Sequence, residues 1–214
     1  MESQRTKGDE QIAISLMRAW KAIGIPKYLQ LDNESSFHGS NNYPRSFGVV
    51  IKLCLHFGIQ PVFIPAGEPW RNGVIEKFND TYNRKFFRRQ CFANYLHLKR
   101  ESKRFQRFHN ACHRYSCLKG KSPDEFIGGH DYKPEKLPPN TKLPKFDSIP
   151  GGKVVLIRFI RSNRKLDIFG EKFRVSESLV YSYVKAEIDT RLHILTVYSG
   201  DESPVEIFEY KLPG

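Results

Sequence analysis

The 214-residue sequence predicts a mixed α/β region over 1–128 and a small all-β barrel over 153–214, joined by a stiff linker over 129–152. Three patterns carry that expectation. Up to residue 128, apolar stripes at helical spacing alternate with short strand-like runs. Between 130 and 152, Pro134, Pro138, Pro139, Pro144 and Pro150 crowd a stretch with little apolar periodicity, as in a spacer between domains. Beyond it, VVLIRFI, KLDIFGEKFRV, YSYVKAEI, LHILTVYSGDE and VEIFEYKL read as short strands rich in Val, Ile, Tyr and Phe, parted by turn residues.

Residues 9–24 place Ile12, Leu16, Ala19, Trp20 and Ile23 along one helical face, with Asp9 as N-cap and Gly24 as the stop. After a turn at Pro26, YLQL is a strand with Asp32 and Asn33 at its C-terminal end, where α/β sheets collect reactive groups. HGSNNYPRSF is polar and turn-rich, an exposed excursion. Residues 48–57 return to helical spacing through Val49, Val50, Leu53, Cys54 and Phe57, and PVFIP is a short buried strand bracketed by prolines. The breaker-rich loop AGEPWRNG leads into a helix from about Val74, with Phe78, Tyr82 and Phe86 four apart on one face. A basic helix follows over about 95–115, and KGKSPDEF closes the region with a turn and a short helix.

Lys and Arg number 35 against 23 Asp and Glu, a formal charge of +12 that favours nucleic acid as partner. No segment approaches the roughly 18 consecutive apolar residues of a membrane span, and the first residues have no apolar core of a leader peptide, so a cytoplasmic protein without membrane contact is expected. Four irregularly placed cysteines make no disulfide framework. His109, Cys112, His113 and Cys117 could share a helix face, but no paired knuckle of the kind that holds structural zinc lies near them.

LQLDNESSFHGS, FGIQPVFIPAGEPWRNGVIEKFN and HNACHRYSCLKGKSPDEF together resemble the second half of the catalytic core of insertion-sequence transposases within the retroviral-integrase (DDE) superfamily. The order of elements carries the likeness: helix, strand ending in Asp-Asn, helix, strand, Pro-rich loop with Asn-Gly, and a helix opening with Glu. The resemblance covers roughly residues 10–128. It implies a partial ribonuclease H-like fold and, for the C-terminal strands, an SH3-like DNA-binding barrel. It also implies strand transfer of phosphodiester bonds by two divalent ions, Mg2+ or Mn2+, held by three carboxylates. Asp32 matches the second carboxylate and Glu76 the third, as catalytic residues and metal ligands, with 43 residues between them. An Asp at a strand end is held by the sheet, and a Glu in a first helical turn gains from the positive helix end. Taken singly, an Asp-Asn turn and a first-turn acid are ordinary structural features.

The implied partner is double-stranded DNA, as transposon ends and target, with a homo-oligomer or the subunits of an intact transposase. The loop residues Trp70, Arg71 and Asn72 border the DNA in the family. Lys77, Arg84, Lys85, Arg88 and Arg89 on the following helix suit phosphate contacts. Arg158, Arg161, Arg164, Lys165, Lys172 and Arg174, interleaved with Phe159, Phe169 and Phe173, form a second basic set. The family's first carboxylate lies on a strand ahead of the first helix found here. Only eleven residues precede Ile12, they are polar, and Asp9 is explained as a cap. An incomplete active site with little or no DNA cleavage by this chain alone is expected. The alternative is a non-catalytic DNA-binding protein that occupies transposon ends or joins multimers of an intact enzyme.

Overall fold

Strand β3 (Lys153–Phe159) decides the architecture. Its sequence KVVLIRF is an almost unbroken apolar run, with Val154 and Leu156 fully buried on one face and Val155 buried at the centre of the other. The structure, a computed structural model, describes residues 4–39, 43, 45–65, 67–131, 133–200 and 203–213. Before β3 come α1 (Gln4–Ile23), β1 (Tyr28–Leu31), α2 (Ser35–His38), α3 (Val49–His56), β2 (Gln60–Phe63), α4 (Gly73–Lys85), α5 (Tyr95–Cys112) and α6 (Pro123–Gly128). After it come β4 (Lys165–Ile168), β5 (Glu171–Arg174), β6 (Tyr183–Asp189), β7 (Ile194–Ser199) and β8 (Pro204–Glu209).

One six-stranded sheet runs in the order β1-β2-β3-β6-β7-β8, and β4-β5 form a separate hairpin. β1 pairs with β2 in parallel, Tyr28 opposite Gln60 and Leu31 opposite Phe63. β2 pairs with β3 in parallel, Val62 opposite Val155 and Phe63 opposite Leu156. From β3 onward the neighbours are antiparallel. A contiguous buried cluster extends from Ala13, Met17 and Trp20 of α1 through Val50, Leu53 and Cys54 of α3 to Leu156, Ala186 and Val197 in the sheet.

The division of the chain by its internal packing does not fall at the expected 129–152. The chain divides into a first unit of Met1–Pro69 with Pro134–Gly214 and a second unit of Trp70–Lys133. The strands expected as a barrel are formed, but they continue the sheet of β1 and β2, and no pairing among the described residues closes them into a ring. The physical reason is the edge of β2, whose backbone groups need a partner that β3 supplies. The proline run straps this unit instead of spanning open solvent. Leu137 is buried, and Leu143, Phe146 and Ile149 pack on the core. The Ile25 amide donates to Glu135 O at 2.8 Å, and Lys21 Nζ donates to Pro139 O and Thr141 O at 2.7 and 2.8 Å. Gly24 is required where the strap crosses: its φ is +102°, and a Cβ there would lie 2.6 Å from Pro134 Cβ.

Two local expectations also change. Helix α1 begins at Gln4, so Asp9 lies within it and is no cap. The HGSNNYPRSF excursion is only partly surface: His38 and Phe47 are buried against the ring of Phe169, while Ser40, Asn41, Asn42 and Pro44 lie outside the described residues.

The second unit is helical, and its core is aromatic. Phe86 lies at 5.0–5.5 Å from the rings of Tyr82, Phe92 and Phe105, and Tyr82 Oη hydrogen-bonds Ser102 Oγ at 2.9 Å. Helix α6 starts on a capping box between Ser122 and Glu125, with Pro123 at the first helical position.

Replacing Leu156 by Ala is expected to cost about 2–5 kcal/mol of stability. Amide exchange should show β1 and β2 losing protection together with β6 and β7. Loss confined to the C-terminal strands would contradict a shared sheet.

Candidate functional site

Asp32 follows directly on β1, half-buried, with its Oδ1 accepting from the Glu34 amide at 3.0 Å. The aspartate thus sits at a C-terminal strand end of the parallel part of the sheet, as expected. The next residue explains why the turn is fixed. Asn33 Nδ2 donates to Ile64 O at 2.7 Å, and Asn33 Oδ1 accepts from Arg158 Nη2 at 2.7 Å. The Ile64 amide in turn donates to Leu31 O at 3.0 Å, which ties the ends of β1 and β2 together.

Arg158, expected on a DNA-facing surface, is instead 8% exposed. Its Nη1 donates to Ile64 O at 3.1 Å and Ile157 O at 2.9 Å, and its Nε donates to Asp167 O at 3.0 Å. Burial pulls its pKa down to about 10, so it remains charged at neutral pH. A guanidinium committed to internal acceptors cannot serve phosphates. Its place on β3 forces this, since β3 lies inside the sheet between β2 and β6. Burial likewise holds the imidazole of His38 below its ordinary value, with the Asn33 contact working in the opposite direction. His38 stacks on Phe169 at 4.7 Å between ring centroids. The Asp32 turn therefore rests on a polar layer of half-buried Asn33 with buried His38 and Arg158. Sequence reading missed this layer, since its members are 125 residues apart in the case of Arg158 and Asn33.

Glu76 lies in the first turn of α4, exposed to solvent. It belongs to the second unit and Asp32 to the first. Trp70 is 66% exposed on the 3-10 turn Pro69–Asn72, and Arg71 is exposed beside it. Asn72 is the N-cap residue of α4 without a capping hydrogen bond from its side chain. Lys77, Arg84, Lys85 and Arg88 are all exposed, with Arg84 paired to Asp80 one turn away.

In the first unit the remaining basic set stays at the surface. Arg161, Lys165, Lys172 and Arg174 are exposed. Lys165 faces Arg174 directly across the β4-β5 hairpin, an unfavourable like-charge pair that concentrates positive potential there. Arg164 is half-engaged, its Nε donating to Val175 O at 3.1 Å and its Nη1 lying 3.5 Å from Glu177.

Two carboxylates are hard oxygen donors of the kind Mg2+ or Mn2+ takes. Among the described residues, no three His, Cys, Asp or Glu side chains gather as a metal site. This covers the His109, Cys112, His113 and Cys117 stretch as well, where Tyr115 Oη hydrogen-bonds His109 Nε2 at 2.9 Å. No helix among the described residues is long and apolar enough to cross a membrane.

Residues 57–123 match the family model of the integrase core domain. The matched segment holds β2, the loop with Trp70, Glu76 on α4, and all of α5. No curated protein matches the chain.

Replacing Arg158 by Met removes the guanidinium donor from Asn33 Oδ1 and from Asp167 O and leaves Ile64 O with Asn33 Nδ2 alone, at a cost of about 2–4 kcal/mol in denaturant unfolding. Lys at this position should recover only part of the loss, since an ammonium lacks the guanidinium fork. A Met variant as stable as the parent would remove the network from the account. Of the four thiols, Cys91, Cys112 and Cys117 are exposed and should react quickly with a disulfide reagent. Cys54, buried with its pKa pushed up to about 12, should react only on unfolding.

Proposed function

We propose that this chain is a DNA transposase- or integrase-family protein whose ancestral activity is strand transfer of phosphodiester bonds. The observation that carries the reading is the integrase-core match over residues 57–123, which includes Glu76 in the first turn of its helix. The position of Asp32 at the end of β1, next to the strand β2 with which the match begins, supports its assignment as the companion carboxylate. In this reading Asp32 and Glu76 are the second and third acids of a divalent-metal site for Mg2+ or Mn2+, and chemistry requires a further carboxylate beside them.

Double-stranded DNA is the proposed partner, as transposon ends and target, met by Trp70, Arg71, Asn72, Lys77, Arg84, Lys85 and Arg88 in one unit. In the other, Arg161, Arg164, Lys165 and Lys172 take the part of the SH3-like DNA-binding barrel of the resemblance. Arg158 leaves this set because its guanidinium is enclosed. The proposed setting is the cytoplasm, and the proposed assembly is a homo-oligomer or a complex with intact transposase subunits. A second reading is a non-catalytic DNA-binding protein that occupies transposon ends or joins multimers of an intact transposase, for which the formal charge of +12 is the supporting observation.

With about six phosphate contacts, duplex affinity should fall roughly 10³-fold between about 50 and 200 mM salt. In a fusion that supplies a segment carrying the further carboxylate, divalent-dependent joining of DNA ends that disappears in both Asp32→Asn and Glu76→Gln supports the catalytic reading. Salt-sensitive binding without joining supports the second. Joining that survives both substitutions excludes the two acids, and absence of duplex binding at low salt rejects both readings.

A further inference from the structure

The second unit contains a cavity of which the assignments above use only the cations Lys85 and Arg89, as phosphate contacts. It encloses about 360 Å³ between α4 with its following turn Phe87–Arg89 on one side and α5 on the other. Lys85 and Arg89 contribute cations, Phe105, Phe108, His109 and His113 contribute rings, and no acidic side chain lines it. Phe105 and His109 lie four residues apart on one face of α5, and His113 is the extended C-cap residue that follows it. The His109 and His113 rings stack at 4.7 Å with 15° between their planes, and Phe105 lies 5.6 Å from His109. Phe108 is 66% exposed beside these rings and lines the same cavity.

The electrostatics of the rings matter. Burial holds both imidazoles below their ordinary pKa, and His113 and Lys85 push His109 further down, as Lys85 does His113. At neutral pH they are uncharged π faces, and the positive charge of the cavity resides on Lys85 and Arg89. Arg89 is held in place by its Nε donating to Arg84 O at 3.1 Å, which leaves the two terminal nitrogens of its fork for a ligand. An anion alone has no use for four aromatic rings, and an apolar ligand has none for two cations. A nucleotide needs both, with the base stacked on a ring and the phosphate on a guanidinium or ammonium. The volume, at the lower end of ordinary ligand pockets of about 300–1,000 Å³, suits one such unit and no more.

We propose that this cavity receives a single unpaired nucleotide of a DNA strand, its base against Phe108 and the His113 ring and its phosphate on Lys85 and Arg89. This deepens the DNA-binding reading above and rests on it. It makes the second unit a reader of strand ends or extruded bases, where duplex contacts by the exposed cations read only phosphates.

The test compares a blunt duplex with the same duplex carrying a short single-stranded extension that contains 2-aminopurine, titrated with the full chain. The extension should raise affinity roughly tenfold, the order expected for stacking one base, and quench the probe. Phe108→Ala and Arg89→Gln should each pull the ratio of the two affinities towards one. Tight binding of both DNAs with a ratio near one in the parent chain overturns the pocket and leaves the duplex-binding reading intact. A ratio untouched by both substitutions also overturns it. Failure to bind either DNA overturns the broader reading itself.

Discussion

Parallel pairing of β2 with β3 is the contact on which the first unit depends. It joins residues near 60 to residues near 155 and so turns the C-terminal strands into a continuation of the sheet that carries Asp32. A four-residue β1 and a four-residue β2 would make a marginal pair alone. With β3, β6, β7 and β8 beyond them they become one end of a six-stranded sheet, and α1 and α3 contribute to the same core. The proline strap follows from this arrangement, since the chain returning to β3 passes Trp20 and Lys21 and is pinned there by backbone and ammonium hydrogen bonds.

Burying a guanidinium within this sheet is costly unless its donors are used. Arg158 meets the condition by donating to Asn33 and to the carbonyls of Ile64, Ile157 and Asp167. The consequence reaches the candidate site. The turn carrying Asp32 is held from below by a residue of β3, so the orientation of that carboxylate is linked to the integrity of the C-terminal strands. A residue type that ordinarily binds phosphate has here become a structural strut, and the difference lies wholly in where the strand runs.

Positive charge is distributed over both units, and its surroundings differ. On the β4-β5 hairpin the cations Lys165, Lys172 and Arg174 project to solvent, with Lys165 and Arg174 directly opposed. In the second unit Lys85 and Arg89 border aromatic and imidazole rings instead. The first setting attracts any polyanion, and the second has a shape and ring content that discriminates among them.

Local patterns in the sequence determined a good deal. The strand ending in Asp32, the buried strand before the Asn-Gly loop, the helix opening near Glu76 and the run of C-terminal strands all depend on spacing among near neighbours, which a periodicity can report. The integrase-core match over 57–123 takes in the buried strand, the Asn-Gly loop and the helix opening near Glu76, and does not reach the strand ending in Asp32 or the C-terminal strands. Tertiary structure alone decided which strand lies beside β2, that the proline run packs as a strap, and that Arg158 turns inward to hold Asn33. Each of these joins residues more than ninety positions apart, and pairing at that range is chosen by unsatisfied strand edges and shared burial, neither of which leaves a periodic trace in the chain.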